Sequence, residues 1–342
     1  MDTEEGRIEG GRFTLLGEAP GMSDSSKSDA AEFASEVREG LIAEHKRISS
    51  RWLYDEEGSK IFEEICELDE YYLTRVETDI LSRCCPRIVK LAGSEATCVE
   101  LGSGNALKTR LLFDAFFEKT SELTYVSVDI SPSALVSSAQ ELLGIYTGLR
   151  VIGIAGEYSR GIEWMSKTPG QKLVLWLGSN IGNLNRGQGV EFLRTLGEHL
   201  TASDKLLLGI DLRKQKHILE AAYNDSSGVT ARFNKNLLRR INNTLGANFD
   251  LQAFTFEALY FEDSGCVRSH LKSDRQQRVR IDSLELEVSF ECGETIHTED
   301  SFKYSFEEIA ELAAQAGFER QENWTDAEGR YSLELFSPQV AT

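Results

Sequence analysis

Between Thr97 and Leu212 short apolar runs alternate with helical stretches, and this alternation limits the fold more than any other feature of the chain. The runs expected as strands are Thr97–Leu101, Leu123–Ile130, Arg150–Ile154, Lys172–Leu177 and Lys205–Leu212. The segments between them space apolar residues at helical intervals, as in Leu111, Leu112 and Phe116, in Ser131 to Leu143 and in Gln188 to Leu200. Strands alternating with helices predict an α/β fold with a parallel sheet covered on both faces.

The flanks read differently. Residues 1–30 are rich in Gly, Ser, Asp and Glu without a sustained period, so a disordered and dispensable tail is expected there. Residues 31–78 turn helical, with Phe62, Ile65 and Cys66 on one face; Ile80, Leu81 and Cys84 form a similar stripe just beyond. After the fifth strand comes a helix over Ala231–Leu245 that turns Leu237, Leu238, Ile241 and Leu245 inward. Strand-like runs follow at Leu251–Phe261, Cys266–Leu271, Val279–Ile281 and Leu284–Phe290, antiparallel material inserted before the main sheet finishes. Ser305 with Glu308 makes a capping box and Gly317 a stop, predicting a helix over Ser305–Gly317, and a hairpin over Phe318–Phe336 closes the chain. The expected division is a tail at 1–30 and a helical segment at 31–78 that contributes to the inserted domain. A core at 79–212, the insertion at 213–303 and the rest of the core at 304–342 complete it.

Composition excludes several classes of function. The 342 residues are 41% hydrophobic and 27% charged, as in ordinary globular proteins. No apolar run approaches the ~20 residues that cross a bilayer, and the N-terminus lacks the basic segment and apolar core of a signal peptide. A cytoplasmic protein without a membrane partner is expected. The net charge of −19, from 56 acidic against 37 basic residues, repels phosphate backbones and argues against nucleic acid. The six cysteines form no C-x-x-C pair and the five histidines no ligand spacing, so reduced thiols and no metal are expected.

The strongest local signal is Val99-Glu100-Leu101-Gly102-Ser103-Gly104-Asn105, a strand that ends in a glycine turn and opens a helix. Glycine lets the backbone approach a nucleotide closely. The next strand ends in Asp129, which can accept both hydroxyls of a ribose, and the third is followed by Glu157 and Tyr158, an acid and a ring suited to adenine. These elements fall at the carboxyl ends of successive strands, where open α/β sheets bind ligands. The third glycine of a dinucleotide fingerprint is replaced by Leu107. Glu100 before the turn suits a cationic ligand without phosphates, such as S-adenosylmethionine, and Lys108 and Arg110 are candidates for its carboxylate.

At this point the chain resembles the histidine-specific, S-adenosylmethionine-dependent methyltransferases, which make the trimethylated betaine of histidine on the way to ergothioneine. The matching segments are Tyr54-Asp55-Glu56-Glu57-Gly58-Ser59, Glu70-Tyr71-Tyr72-Leu73-Thr74-Arg75, the glycine turn with Lys108-Thr109-Arg110, and Leu177 through Leu184. Ala222-Tyr223-Asn224-Asp225 with Gly228-Val229-Thr230, and Thr298-Glu299-Asp300-Ser301, complete the match over about residues 35 to 337. The resemblance implies a Rossmann-like methyltransferase domain and a second, α+β domain that holds the amino acid. It implies that Asn183 and Tyr223 hold the α-amino-acid end, that Tyr54 and Tyr71 line the pocket, and that Glu299 and Ser301 bond the imidazole. Tyr54, Asn183 and Tyr223 are thus the candidate catalytic residues, and Gly102, Ser103, Gly104, Lys108, Asp129, Glu157 and Tyr158 the candidate cofactor residues. Two positions depart from the family. Asn180 stands where threonine is usual, and Ser269 where a larger methionine can wall the side-chain pocket.

The expected reaction is Nα-methylation of L-histidine, up to three times, giving its trimethylated betaine, by a monomer. The competing readings are the same chemistry on tryptophan or a thiol-bearing histidine derivative, a non-catalytic S-adenosylmethionine-binding module, and a nicotinamide dehydrogenase.

Overall fold

The computed structural model describes residues 6–8, 11–16 and 25–339. Its strands, in chain order, are β1 (Gly6–Ile8), β2 (Phe13–Leu16), β3 (Thr97–Leu101), β4 (Leu123–Asp129), β5 (Leu149–Ala155), β6 (Lys172–Trp176) and β7 (Lys205–Asp211). They continue with β8 (Phe254–Phe261), β9 (Cys266–Ser273), β10 (Gln277–Ile281), β11 (Leu286–Phe290), β12 (Thr295–Phe302), β13 (Phe318–Thr325) and β14 (Tyr331–Pro338). The chain divides into two compact units: residues 1–21, 73–213 and 304–342 form the first, residues 22–72 and 214–303 the second.

The first unit is an α/β sheet in the order β1-β2-β5-β4-β3-β6-β7-β14-β13. From β2 through β7 neighbours run parallel, and β14 and β13 close the edge antiparallel. Each residue of Lys172–Trp176 is buried, as are Leu206, Leu207 and Leu208 on β7. A run that is apolar on both faces suits only a strand covered by helices on both sides. Each such buried leucine contributes roughly 1.5–3 kcal/mol. The chain moves outward from β3 to β4 and β5, then returns to β6 on the other side of β3. The carboxyl end of β3 is therefore the topological switch point of the sheet. The helix Phe306–Ala316 starts at the expected capping box, where Ser305 accepts from the Glu308 N–H, and ends at Gly317.

The expectation of a disordered tail over 1–30 is corrected by β2. Phe13–Leu16 pairs parallel with Val151–Ile154, and Phe13 and Leu15 are buried. Apolar residues at alternate positions, Phe13 and Leu15, were enough to add a strand to an open sheet edge despite the polar surroundings. The helix Ser25–Ile42 also begins within the supposed tail. β1 (Gly6–Ile8) pairs antiparallel with β2, and positions 1–5, 9–10 and 17–24 lie outside the described residues.

The second unit combines helices with antiparallel sheets: β12-β9-β8 and the hairpin β10-β11. The helix Val229–Leu245 buries Phe233, Leu237, Leu238, Ile241 and Leu245 along one side and packs on the helix Glu56–Cys66 and on β8. The strand β12 is an addition to the sequence reading. Its pairing with β9 sets His297 opposite His270 and Glu299 opposite Ser269, which leaves Thr298 as an extra residue in a β-bulge. The Thr298 hydroxyl donates to Asn234 Oδ1 (2.5 Å) and the Ser269 carbonyl (3.2 Å), which fixes the bulge. Strict alternation would put Glu299 on the face of His297. The bulge instead turns Glu299 and Ser301 to the face of Ile296, where Leu271, Ser269 and Val267 lie opposite.

Candidate functional site

In the first unit the glycine turn follows β3 at the switch point, with Gly102 at φ +76° and Gly104 at φ +50°. A Cβ at Gly102 would lie 2.9 Å from Asn180 Nδ2 and 3.1 Å from the Tyr158 hydroxyl, so the position admits no side chain. Asp129 ends β4. Its Oδ1 accepts the Ser131 N–H and its Oδ2 the Gly104 N–H, both at 2.9 Å. Burial raises its pKa and these backbone donors partly offset that. A carboxylate has about four acceptor positions, so capacity for a ribose diol remains. Glu157 caps the helix Tyr158–Lys167 at the end of β5, and the Tyr158 ring meets Trp176 and Phe192 edge-on at 5.8 and 5.7 Å. Burial pushes the Tyr158 phenol up to about 12. The turn, the diol acceptor and the ring together suit an adenosyl group.

One sequence-based expectation changes in this unit. Glu100 does not serve as a ligand-facing anion. It is buried, accepts the Thr109 hydroxyl at 2.7 and 2.8 Å and the Tyr125 hydroxyl, and so ties the turn to the following helix and to β4. Burial pushes it up to about 7, against the pull of those hydrogen bonds. Lys108 forms an ion pair with Glu77, a residue that the sequence reading did not single out. Glu77 is fully buried, accepts the Gly178 N–H (2.9 Å) and the Tyr331 hydroxyl (2.7 Å), and fits only because Gly209 lacks a side chain. A Cβ there would lie 2.1 Å from Glu77 Oε1. The signal for Glu77 was present: it falls on the apolar stripe of Val76, Ile80, Leu81 and Cys84, where an acid needs partners. Arg110 pairs with Glu141 at 2.6 Å. Asn183 is exposed at the end of the one-turn helix Asn180–Asn183, which follows β6.

In the second unit the family segments have local structural reasons. Tyr54 precedes Asp55, which caps the helix Glu56–Cys66 by accepting the Gly58 N–H (2.7 Å) and also accepts from Asn236 Nδ2 (2.8 Å). Tyr223 ends the helix Lys216–Tyr223, and Asp225 accepts the N–H groups of Val229 (2.9 Å) and Thr230 (2.7 Å) to start the next helix. These turns bring aromatic rings together. Tyr54 lies 5.3 Å from both Phe62 and Phe233, Phe62 lies 6.2 Å from Tyr71, and Tyr71 lies 6.0 Å from Tyr223. Edge-on pairs at these distances stabilise a packed cluster by about 0.5–1.5 kcal/mol each.

The Tyr223 hydroxyl is 2.9 Å from Ser301 Oγ, so the structure brings these two candidates together within one unit. A buried lysine that the sequence reading missed, Lys303, donates to Tyr223 (2.7 Å) and Ser301 (2.9 Å). Glu299 lies directly opposite the buried Ser269. Burial pushes its carboxyl up to about 7, while the charges of Lys303 and His297 oppose the rise. Tyr71 is buried too, and burial raises its phenol well above the ordinary range. The arrangement offers hydroxyl donors, a carboxyl that titrates near neutrality and aromatic walls, a set suited to a small polar, ring-bearing ligand.

All six cysteines are free, and no His/Cys/Asp/Glu group among the described residues could hold a metal. Among those residues no helix is long and apolar enough to cross a membrane. Comparison with known proteins gives a match to the family of histidine-specific, SAM-dependent methyltransferases over residues 33–338. The histidine N-alpha-methyltransferase of Mycolicibacterium smegmatis is 38% identical over 91% of this chain and 96% of its own length. Its counterpart in Mycobacterium tuberculosis is 37% identical over 88% of this chain and 93% of its own length. Ergothioneine biosynthesis protein 1 of Schizosaccharomyces pombe is 31% identical over 86% of this chain and 39% of its own length. With the glycine turn at the switch point of the first unit and the family segments shaping the second, the chain belongs to the histidine-specific, S-adenosylmethionine-dependent methyltransferase family.

Proposed function

We propose that the protein transfers methyl groups from S-adenosylmethionine to the α-amino group of L-histidine, up to three times, as a step toward ergothioneine. The first unit holds the cofactor, through the turn at Gly102–Gly104, Asp129, Glu157 and Tyr158. The second unit holds the amino acid. The observation that carries the choice of histidine is Glu299, a carboxyl turned to the buried face of β12 and raised to about 7. A free imidazole titrates near 6.5. A carboxyl and an imidazole with such close pKa values share a proton readily, whichever of them carries it. Ser301, two residues along the same face, adds a hydroxyl that can donate or accept.

S-adenosylmethionine supplies an electrophilic methyl on a sulfonium. The α-amine must meet it as a free base with its lone pair aligned, so the work of the protein is positioning and desolvation. The Tyr71 hydroxyl stays protonated in its buried setting and acts as a hydrogen-bonding group, not as a base. Tyr54 and Tyr71 offer ring faces to a product ammonium that has lost its N–H donors. A second reading keeps the chemistry and changes the amino acid. Ser269 is small where it faces Glu299, which favours room for a larger ring. Mass spectrometry of each proteinogenic amino acid incubated with the protein and S-adenosylmethionine separates the two. Histidine is expected as the preferred acceptor, and a faster reaction with tryptophan would replace this reading by the second.

A further inference from the structure

Lys303 is fully buried, an expensive place for an ammonium unless its donors are engaged. Its Nζ donates to the Tyr223 hydroxyl at 2.7 Å and to Ser301 Oγ at 2.9 Å, and it lies 4.4 Å from the centre of the Tyr223 ring. The two hydroxyls are themselves 2.9 Å apart, so the three groups form a closed triangle. An ammonium has three donors and no acceptor. Both hydroxyls therefore present lone pairs to Lys303, and neither O–H bond can point toward it. One of the two protons is taken up by the Tyr223–Ser301 contact. The other is directed out of the triangle. A neutral side chain at 303, or one that accepts hydrogen bonds, would let the hydroxyls rotate among several arrangements.

We infer that Lys303 is a positioning residue: it locks the Tyr223 and Ser301 hydroxyls with one O–H turned outward, toward the amino-acid substrate. The inference rests on the proposed reading of this unit as the amino-acid site. The ligand such a locked pair recognises is a hydrogen-bond acceptor, a substrate carboxylate or an unprotonated ring nitrogen.

The test is steady-state kinetics of the full chain with histidine, for wild type, Lys303→Met, Lys303→Gln, the Tyr223→Phe/Ser301→Ala double variant and that double variant carrying Lys303→Met. S-adenosylhomocysteine affinity, read by calorimetry, controls for folding and for the cofactor site. Lys303→Met is expected to raise KM for histidine by ~10- to 100-fold, as for loss of charge-assisted hydrogen bonds, with a smaller change in kcat and no change in S-adenosylhomocysteine affinity. In the background without the two hydroxyls the same substitution is expected to change KM by less than ~3-fold, because the groups it positions are gone. A KM within about twofold of wild type overturns the inference, as does an equal loss in both backgrounds. If Lys303→Met cannot bind S-adenosylhomocysteine, Lys303→Gln decides. Its amide is one bond too short to reach both hydroxyls, so KM should rise by ~3- to 10-fold. A Lys303→Gln protein with wild-type KM, or one that is also unfolded, assigns Lys303 a purely structural role. Wild-type protein that binds S-adenosylhomocysteine and leaves histidine unmethylated contradicts the proposed function instead.

Discussion

The two units handle buried charge in opposite ways. In the first, Glu100 and Glu77 are absorbed by the fold: one bonds Thr109 and Tyr125, the other Gly178, Tyr331 and Lys108. Asp129, at the tip of its strand, keeps acceptor capacity. In the second, Glu299, Ser301 and Lys303 sit on one short stretch of chain, and Ser301 and Lys303 meet Tyr223 from a helix about eighty positions earlier. A nucleoside site at a switch point is built from strand ends and backbone, so its charged side chains are free to brace the sheet. A site that must read a side chain uses buried polar groups as recognition elements and needs other polar groups to orient them.

This contrast predicts that damage to the first unit lowers stability or cofactor affinity, while damage to the second changes amino-acid selection. The largest effect belongs to Phe13→Ala, which empties a buried position on β2 and should cost about 3–5 kcal/mol in chemical denaturation. Unchanged stability would show that β2 adds nothing to the sheet.

A somewhat smaller effect is expected from Glu100, through pH. Its folded pKa, about 7, lies above the ordinary range of a free carboxyl. A raised carboxyl stabilises the fold fully below the unfolded value, and the contribution fades as pH rises through the folded one. Wild type should therefore lose roughly 2–3 kcal/mol from this group between about pH 5 and 8. Glu100→Gln removes that slope. Parallel stability-against-pH curves for the two proteins would rule out the buried, partly protonated carboxyl.

Next comes Asp129→Ala, expected to weaken S-adenosylhomocysteine by about 1.5–3 kcal/mol, the loss of charged hydrogen bonds. The ratio of efficiencies for histidine and tryptophan should not move. Glu299→Ala should do the reverse, raising KM for histidine by ~10- to 100-fold, or about 1.4–2.8 kcal/mol, and leaving S-adenosylhomocysteine affinity alone. Calorimetry and paired substrate kinetics on both variants check this. A variant that moved both quantities together would erase the distinction between the units.

The same contrast explains what could be read from the sequence. The parallel strands, the switch-point turn and the capping box at Ser305 are local patterns with periods or fixed spacings, and they lie where the sequence places them. The β12 strand was not legible because Thr-Ile-His-Thr-Glu-Asp-Ser-Phe has no two-residue alternation; the bulge at Thr298 interrupts it. Glu299 and Ser301 were therefore reachable only through family resemblance. Lys303 escaped both routes, since nothing local distinguishes it from a solvated lysine until Tyr223 is folded against it. In the tail, a polar composition masked the two alternate apolar residues, Phe13 and Leu15, with which β2 joins the sheet beside β5.

The most direct test of the account is where the methyl groups land. The purified protein is incubated with histidine and S-adenosylmethionine, and the product is fragmented in a mass spectrometer. If Glu299 and Ser301 hold the imidazole, all methyl groups should be on the α-nitrogen, and the ring fragment should keep the mass of unmodified imidazole. Methyl groups on a ring nitrogen would mean that the amino acid lies the other way round, and the assignment of the second unit as the reader of the imidazole would be wrong.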